Sequence, residues 1–171
     1  MADRSRCGYP TPLCLLRRYD PSVTDQTKSD VFGGPDHGPN KSLRVLVYSD
    51  DVDVRQQVIL ALGKRLHPDL PDLEYVEVAT EPVVIQQMDA GNIALAILDG
   101  EAVPAGGMGI ARQLKDEIFH CPPILVLTGR VQDNWLATWS RAEAAVTHPI
   151  DPMVLAKTAL DLLVVQPAGQ S

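Results

Sequence analysis

The chain has 171 residues, a hydrophobic share of 45%, few aromatics at 5%, and a formal net charge of −7 from 22 acidic and 15 basic side chains. That length holds one domain of about 100–150 residues plus an appendage. The acidic balance argues against a nucleic-acid ligand, where basic side chains supply most of the affinity. No apolar run approaches the ~18–20 residues that insert directly into a bilayer.

Residues 1–42 differ in character from the rest of the chain. They hold prolines at 10, 12, 21, 35 and 39, with Gly33-Gly34-Pro35 and Gly38-Pro39 as turn or breaker signals. Their six basic and five acidic residues give +1, which leaves −8 on the remaining 129. No sustained helical or strand period appears. Within the stretch, Leu13, Leu15 and Leu16 stand beside Arg17, Arg18 and Tyr19, and Val31-Phe32 adds a second apolar pair. We expect an extended arm laid on a partner through Leu13, Leu15, Leu16, Tyr19 and Phe32; a mobile leader is the simpler alternative. Asp3 and the short apolar run at 13–16 do not fit a secretory signal. Cys7, Cys14 and Cys121 show no CxxC spacing, as expected for reduced thiols of a cytoplasmic protein.

From Leu43 onward, short apolar runs alternate with longer amphipathic stretches. The runs at 43–48, 74–79, 93–98, 123–127 and 144–147 read as strands, three of them apolar enough to be covered on both faces. Helices are expected over 53–66, 82–90, 107–119, 131–141 and 152–165. In the first of these Val54, Val58, Leu62 and Leu66 fall four apart, one stripe facing a sheet. Asp51 or Asp53 suits its N-terminus, and Pro82 and Pro152 suit helix starts. Five βα units in series imply a doubly wound α/β domain over 43–165, with a five-stranded parallel sheet and helices on both faces. Residues 166–171 form a short polar tail. Ligands of such sheets bind beyond the carboxyl ends of the strands, which gathers Asp50, Asp99 and Thr128.

An ordered set of motifs sharpens this reading. Arg44 through Ser49-Asp50-Asp51, with Arg55, resembles the first strand and acidic pair of a response-regulator receiver domain, a flavodoxin-like fold. Leu95–Asp99 resembles the phosphoacceptor strand, and Gly107 the glycine that opens the third helix. Pro122 through Thr128-Gly129 resembles the switch-threonine strand. His148-Pro149-Ile150-Asp151-Pro152 resembles the Lys-Pro corner before the last helix. The resemblance implies Asp99 as phosphoacceptor, Asp50 and Asp99 as magnesium carboxylates with the Glu101 backbone carbonyl as third ligand, and Thr128 as the hydroxyl that moves onto the phosphate.

The chain departs from that pattern at four points. Ser49 replaces the first acid, which leaves Asp51 as a partial substitute. His148 replaces lysine, and it is shorter and largely neutral above an unperturbed pKa of about 6.5. Ala145 stands where an aromatic ring reports the state of Thr128. Pro104 lies five residues after Asp99 rather than four, which reshapes the loop at 100–106. Together these changes weigh against phosphorylation-driven switching and leave magnesium binding weak or absent, with Asp99 a strand-end carboxylate. His148, with no HxxxH spacing or nearby cysteine, reads as structural rather than as a zinc ligand.

Trp135 and Trp139 lie one turn apart on the fourth helix, on the face through which receivers usually signal. They either bury against the sheet or anchor a partner. With no further domain expected after residue 165, output falls to direct protein contact. The motif set is similar to that of actinobacterial orphan atypical response regulators, above all the mycobacterial form associated with respiratory NADH:quinone oxidoreductase (complex I). That likeness implies a non-catalytic accessory or regulatory subunit, cytoplasmic and held at the membrane through its partner. The competing expectations are a phosphorylation-competent single-domain regulator using Asp99 and, more remotely, a phosphate-ester hydrolase. The last lacks a second aspartate two residues after Asp99 and an evident general base.

Overall fold

The computed structural model describes residues 42–165. The expected arm with Leu13, Leu15, Leu16, Tyr19 and Phe32, and the 166–171 tail, lie outside the described residues. The described elements run in the order β1 (Leu43–Tyr48), α1 (Val52–Leu62), β2 (Leu73–Val78), α2 (Glu81–Asp89), β3 (Leu95–Asp99), α3 (Gly107–Glu117), β4 (Ile124–Thr128), a 3-10 turn (Val131–Asp133), α4 (Asn134–Trp139), β5 (Ala144–Thr147) and α5 (Pro152–Val165). All strand pairs among them are parallel, in the order β2-β1-β3-β4-β5. The order reverses between β1 and β3, which opens the crevice where doubly wound sheets bind ligands.

Side chains alternate across each strand, so every central strand feeds two cores. Val45, Val47, Leu95, Ile97, Leu125 and Leu127 pack with Val58 and Leu62 of α1 and Leu155, Ala159 and Leu163 of α5. Leu46, Tyr48, Ala96, Leu98, Ile124 and Val126 pack on the other face with Val84 and Met88 of α2 and Ile110, Ala111 and Leu114 of α3. Burial on both faces explains why β3 and β4 read as unbroken apolar runs rather than alternating ones.

Most element boundaries match the sequence expectation to within one or two residues. Two helices are shorter than expected. The first ends at Leu62 instead of 66 because Gly63 takes a left-handed φ of 63° and its N–H closes on the Ile59 carbonyl. Leu66 is therefore not helical, although it still packs against the α1/α5 core. The fourth helix, expected over 131–141, is a 3-10 turn followed by α4, which stops before Arg141 at φ 59°. No helix among the described residues is long and apolar enough to cross a membrane.

The loop after α1 is tied back by Tyr75 of β2, whose phenol donates to the Gly63 carbonyl. Burial pushes the Tyr75 phenol up to about 12. Because the folded value lies above the ordinary value of 10.0, the folded state holds its proton more tightly. That contribution to stability is complete below pH ~10 and is lost as pH rises toward ~12. Comparing the phenolate absorbance of wild type and Tyr75→Phe is expected to isolate one transition near pH ~12. A difference spectrum titrating near pH ~10 would remove the burial argument.

Candidate functional site

The site forms at the carboxyl ends of β1, β3, β4 and β5. Asp99 is the last residue of β3 and is only 4% exposed. Both of its oxygens are engaged. Ser49, fully buried just past β1, donates its hydroxyl to Asp99 Oδ2 at 2.7 Å. The Glu101 N–H donates to Asp99 Oδ1 at 3.0 Å, and His148 Nε2 lies 4.0 Å from the same oxygen. A buried carboxylate is costly unless its lone pairs are met, and here two hydrogen-bond donors meet them.

Ser49 is itself held firmly. Its Oγ accepts from the Asp51 N–H at 3.1 Å, and its carbonyl accepts from Arg55 Nη1 at 2.7 Å. Arg55 also pairs with Glu77 at 3.3 Å. Asp51 is turned to another task, since its carboxylate accepts from the Asp53 N–H at 2.8 Å and caps α1. Asp50 is exposed on the turn between β1 and α1.

Thr128 ends β4, fully buried, opposite Thr147 in the β4–β5 ladder. Its hydroxyl donates to Thr147 Oγ1 at 3.2 Å, and its carbonyl accepts from the His148 N–H at 2.8 Å. The threonine thus faces β5, where Ala145 supplies no ring. The next residue, Gly129, lies under the Glu101 carboxylate: a Cβ built there would stand 2.7 Å from Glu101 Oε1.

The reshaped loop is also tied down. Tyr48, buried at the end of β1, donates its phenol to the Ala105 carbonyl at 2.6 Å. Burial first, then the Asp50, Glu81 and Asp99 carboxylates, push the Tyr48 phenol above its ordinary range. The structure therefore brings Ser49, Asp99, Glu101, Thr128 and His148 together, while Asp51 caps a helix beside them. Sequence reading did not single out Tyr48, Thr147 or the Gly129–Glu101 contact. Only Thr147, at the end of a strand aligned with Thr128, left a usable signal.

The second candidate surface lies on α4. Trp135 is 64% and Trp139 51% exposed, so neither indole is buried against the sheet. Arg112 of α3 lies over the Trp139 ring, 5.8 Å from its centroid, and donates from Nη1 to the Trp139 carbonyl at 3.0 Å. Asp116 completes the cluster, bonding Arg112 at 2.9 Å and Arg141 at 2.6 Å. The cation over the ring and its bond to the Trp139 carbonyl fasten the end of α4 to α3.

No family model matches the chain. It is 73% identical over 122 residues to uncharacterized response regulatory proteins from two strains of Mycobacterium tuberculosis, an alignment covering 71% of this chain and 92% of each relative. Among solved structures, the fold is similar to the signal receiver domain of a signal transduction histidine kinase from Syntrophus aciditrophicus (TM-score 0.63, 18% identity, 76% of this chain and 96% of that one). It is also similar to the chemotaxis response regulator CheY4 of Vibrio cholerae (TM-score 0.61, 19% identity, 71% and 99%). A response regulator of Thermotoga maritima, solved in complex with magnesium and beryllofluoride, superposes comparably (TM-score 0.59, 22% identity, 71% and 99%). With its five parallel strands, its strand-end aspartate and threonine, and relatives of this identity and coverage, the chain belongs to the response regulator family and carries a receiver domain.

Proposed function

We propose that this receiver domain works as a non-catalytic docking module, an accessory or regulatory subunit joined to a larger assembly by protein contact. The observation that carries the reading is the state of Asp99: a buried carboxylate bonded by a serine hydroxyl where receivers place an acid, with a histidine 4.0 Å away where they place a lysine. Phosphoryl transfer to a carboxylate needs charge neutralised on the transferred oxygens. Magnesium suits this donor set poorly. It prefers an octahedral set of oxygen ligands that includes one or two carboxylates, and here a neutral serine hydroxyl, bonded to Asp99, stands where receivers place a further acid. Among the described residues, no three acidic, histidine or cysteine side chains gather as a metal set. Weak or absent magnesium binding is part of this reading.

The exposed indoles of α4 supply a contact surface with the residue type enriched at interface anchors. The choice of respiratory NADH:quinone oxidoreductase as the assembly is supported by the likeness of the motif set to the mycobacterial form associated with that complex. On this reading the protein is cytoplasmic and peripheral to the membrane, with the 1–42 arm adding contacts.

The test is a pull-down from gently solubilised host membranes using tagged full-length chain and its Asp99→Asn variant. Both are expected to retain the respiratory complex in stoichiometric amount, because docking does not draw on the Asp99 charge. Recovery of a sensor kinase alone, or loss of the assembly with Asp99→Asn, would sink the reading. The second reading, a phosphorylation-competent regulator, draws on the convergence of Asp99, Thr128 and His148 at one strand-end site. The latter outcome would favour it.

A further inference from the structure

We propose that this chain binds a second copy of itself head to tail, with Phe119 of one molecule seated in the depression between α1 and α5 of the next. Phe119 is 94% exposed, the most exposed large apolar side chain among the described residues. It does not stand on a loose loop. On one side Ile118 packs against the α2/α3 core, and its N–H closes on the Leu114 carbonyl at 2.9 Å. On the other, Lys115 Nζ donates to the Pro122 carbonyl at 3.1 Å, and Glu143 accepts from the Ile124 N–H at 2.7 Å. The His120 ring stands edge-on to the phenyl, with centroids 4.6 Å apart. An aromatic ring held in water on tethered backbone is the kind of group that interfaces cover.

The receiving half is a depression of about 270 Å³ lined by Gln57, Leu60, Ala61, Ile150 and Pro152. It is smaller than the ~300–1,000 Å³ of sites for small molecules, a size suited to one side chain. Leu60 of its lining is 79% exposed, as is Met153 beside Pro152. The two rims carry opposite charges. Glu117, two residues before Phe119, is exposed and accepts from the neutral Gln113 amide at 3.1 Å. Lys157 is exposed on α5, one turn beyond Met153. An aromatic knob with an anionic rim thus matches an apolar hole with a cationic one, and both are carried by the same chain.

Knob and hole lie on opposite faces of the sheet, since α3 packs on one and α1 and α5 on the other. A two-fold pair does not bring both contacts together, so the association is heterologous and each added copy leaves one knob and one hole open. A contact centred on one side chain is small, which makes the association weak and concentration-dependent. This goes beyond the docking reading and does not draw on it.

The test is sedimentation equilibrium of the full-length chain from ~10 μM to ~1 mM, the range in which small interfaces dissociate. The weight-average mass of wild type is expected to climb steadily with concentration. Phe119→Ala and Leu60→Glu are each expected to lower the association constant at least ~10-fold. Both positions are exposed, so both variants are expected to keep the wild-type circular dichroism spectrum. An equimolar mixture of the two is the decisive sample. Phe119→Ala still offers a hole and Leu60→Glu still offers a knob, so the mixture is expected to regain association that stops at a dimer.

A wild-type mass that stays monomeric throughout overturns the proposal and leaves the docking reading standing. Self-association that persists in either variant places the contact on another surface and also overturns it. Loss in both variants without recovery in the mixture overturns the pairing of Phe119 with the α1/α5 depression.

Discussion

Gly107→Val is expected to destabilise the domain by about 3 kcal/mol or more, while Gly109→Ala two residues later stabilises it by up to about 1 kcal/mol. Both glycines sit in the first turn of α3, and composition alone does not separate them. A Cβ at Gly107 would lie 2.6 Å from the Asp99 carbonyl oxygen, 2.8 Å from the Asp99 carbonyl carbon and 2.9 Å from that of Leu98. All three are backbone atoms of a central strand, so none can step aside without moving β3. At Gly109 a Cβ meets nothing within 4 Å, and alanine there only removes the entropy cost of glycine in a helix. Urea unfolding monitored by circular dichroism separates the two. A Gly107→Val midpoint within error of wild type would refute the claim that α3 docks by direct backbone approach to β3.

The second large effect is on binding. On the docking reading, Trp135→Ala combined with Trp139→Ala is expected to weaken capture of a partner assembly at least ~30-fold, the size of a hot-spot loss of about 2 kcal/mol. The fold is expected to change little, because the indoles are exposed and surface substitutions stay within about 0.5 kcal/mol. Trp139→Ala also gives up the Arg112 contact, a further ~0.5–1 kcal/mol of local stability. Since Arg112 also caps the Trp139 carbonyl, the end of α4 stays fastened in the variant. Side-by-side affinity and thermal-unfolding measurements check this. Undiminished affinity would move the docking surface off α4, and a collapsed melting temperature would show the indoles to be structural.

The sheet was legible because its signal is nearly local. Ile97, Leu98, Val126 and Leu127 lie on strands covered on both faces, and unbroken apolar runs of four or five residues bounded by turn residues say so directly. The length of α1 was less legible. The apolar spacing that places Val58 and Leu62 in the core continues to Leu66, and only the left-handed turn at Gly63 ends the helix. Periodicity cannot report a φ angle. At the site, the residues lying at strand ends were found from spacing, but their partners were not. The bond from Ser49 to Asp99 joins residues 50 apart in sequence. The glutamate over Gly129 likewise depends on two adjacent strands and a side-chain direction that no local pattern encodes. The tryptophans posed a different difficulty, since two indoles one turn apart fit burial and exposure equally well until the neighbouring helix is placed.

The Ser49 hydroxyl on Asp99 bears on how the domain responds to its ionic surroundings. With an acid at position 49, two carboxylates would face each other within hydrogen-bonding reach, and one would resist ionising unless a cation lay between them. A hydroxyl removes that conflict, donating to Asp99 at 2.7 Å with no counter-ion required. Asp99 is thereby held by uncharged hydrogen-bond donors of the chain itself. On the docking reading, the shape of the site then changes little with divalent-ion concentration, which suits a domain held in a lasting assembly.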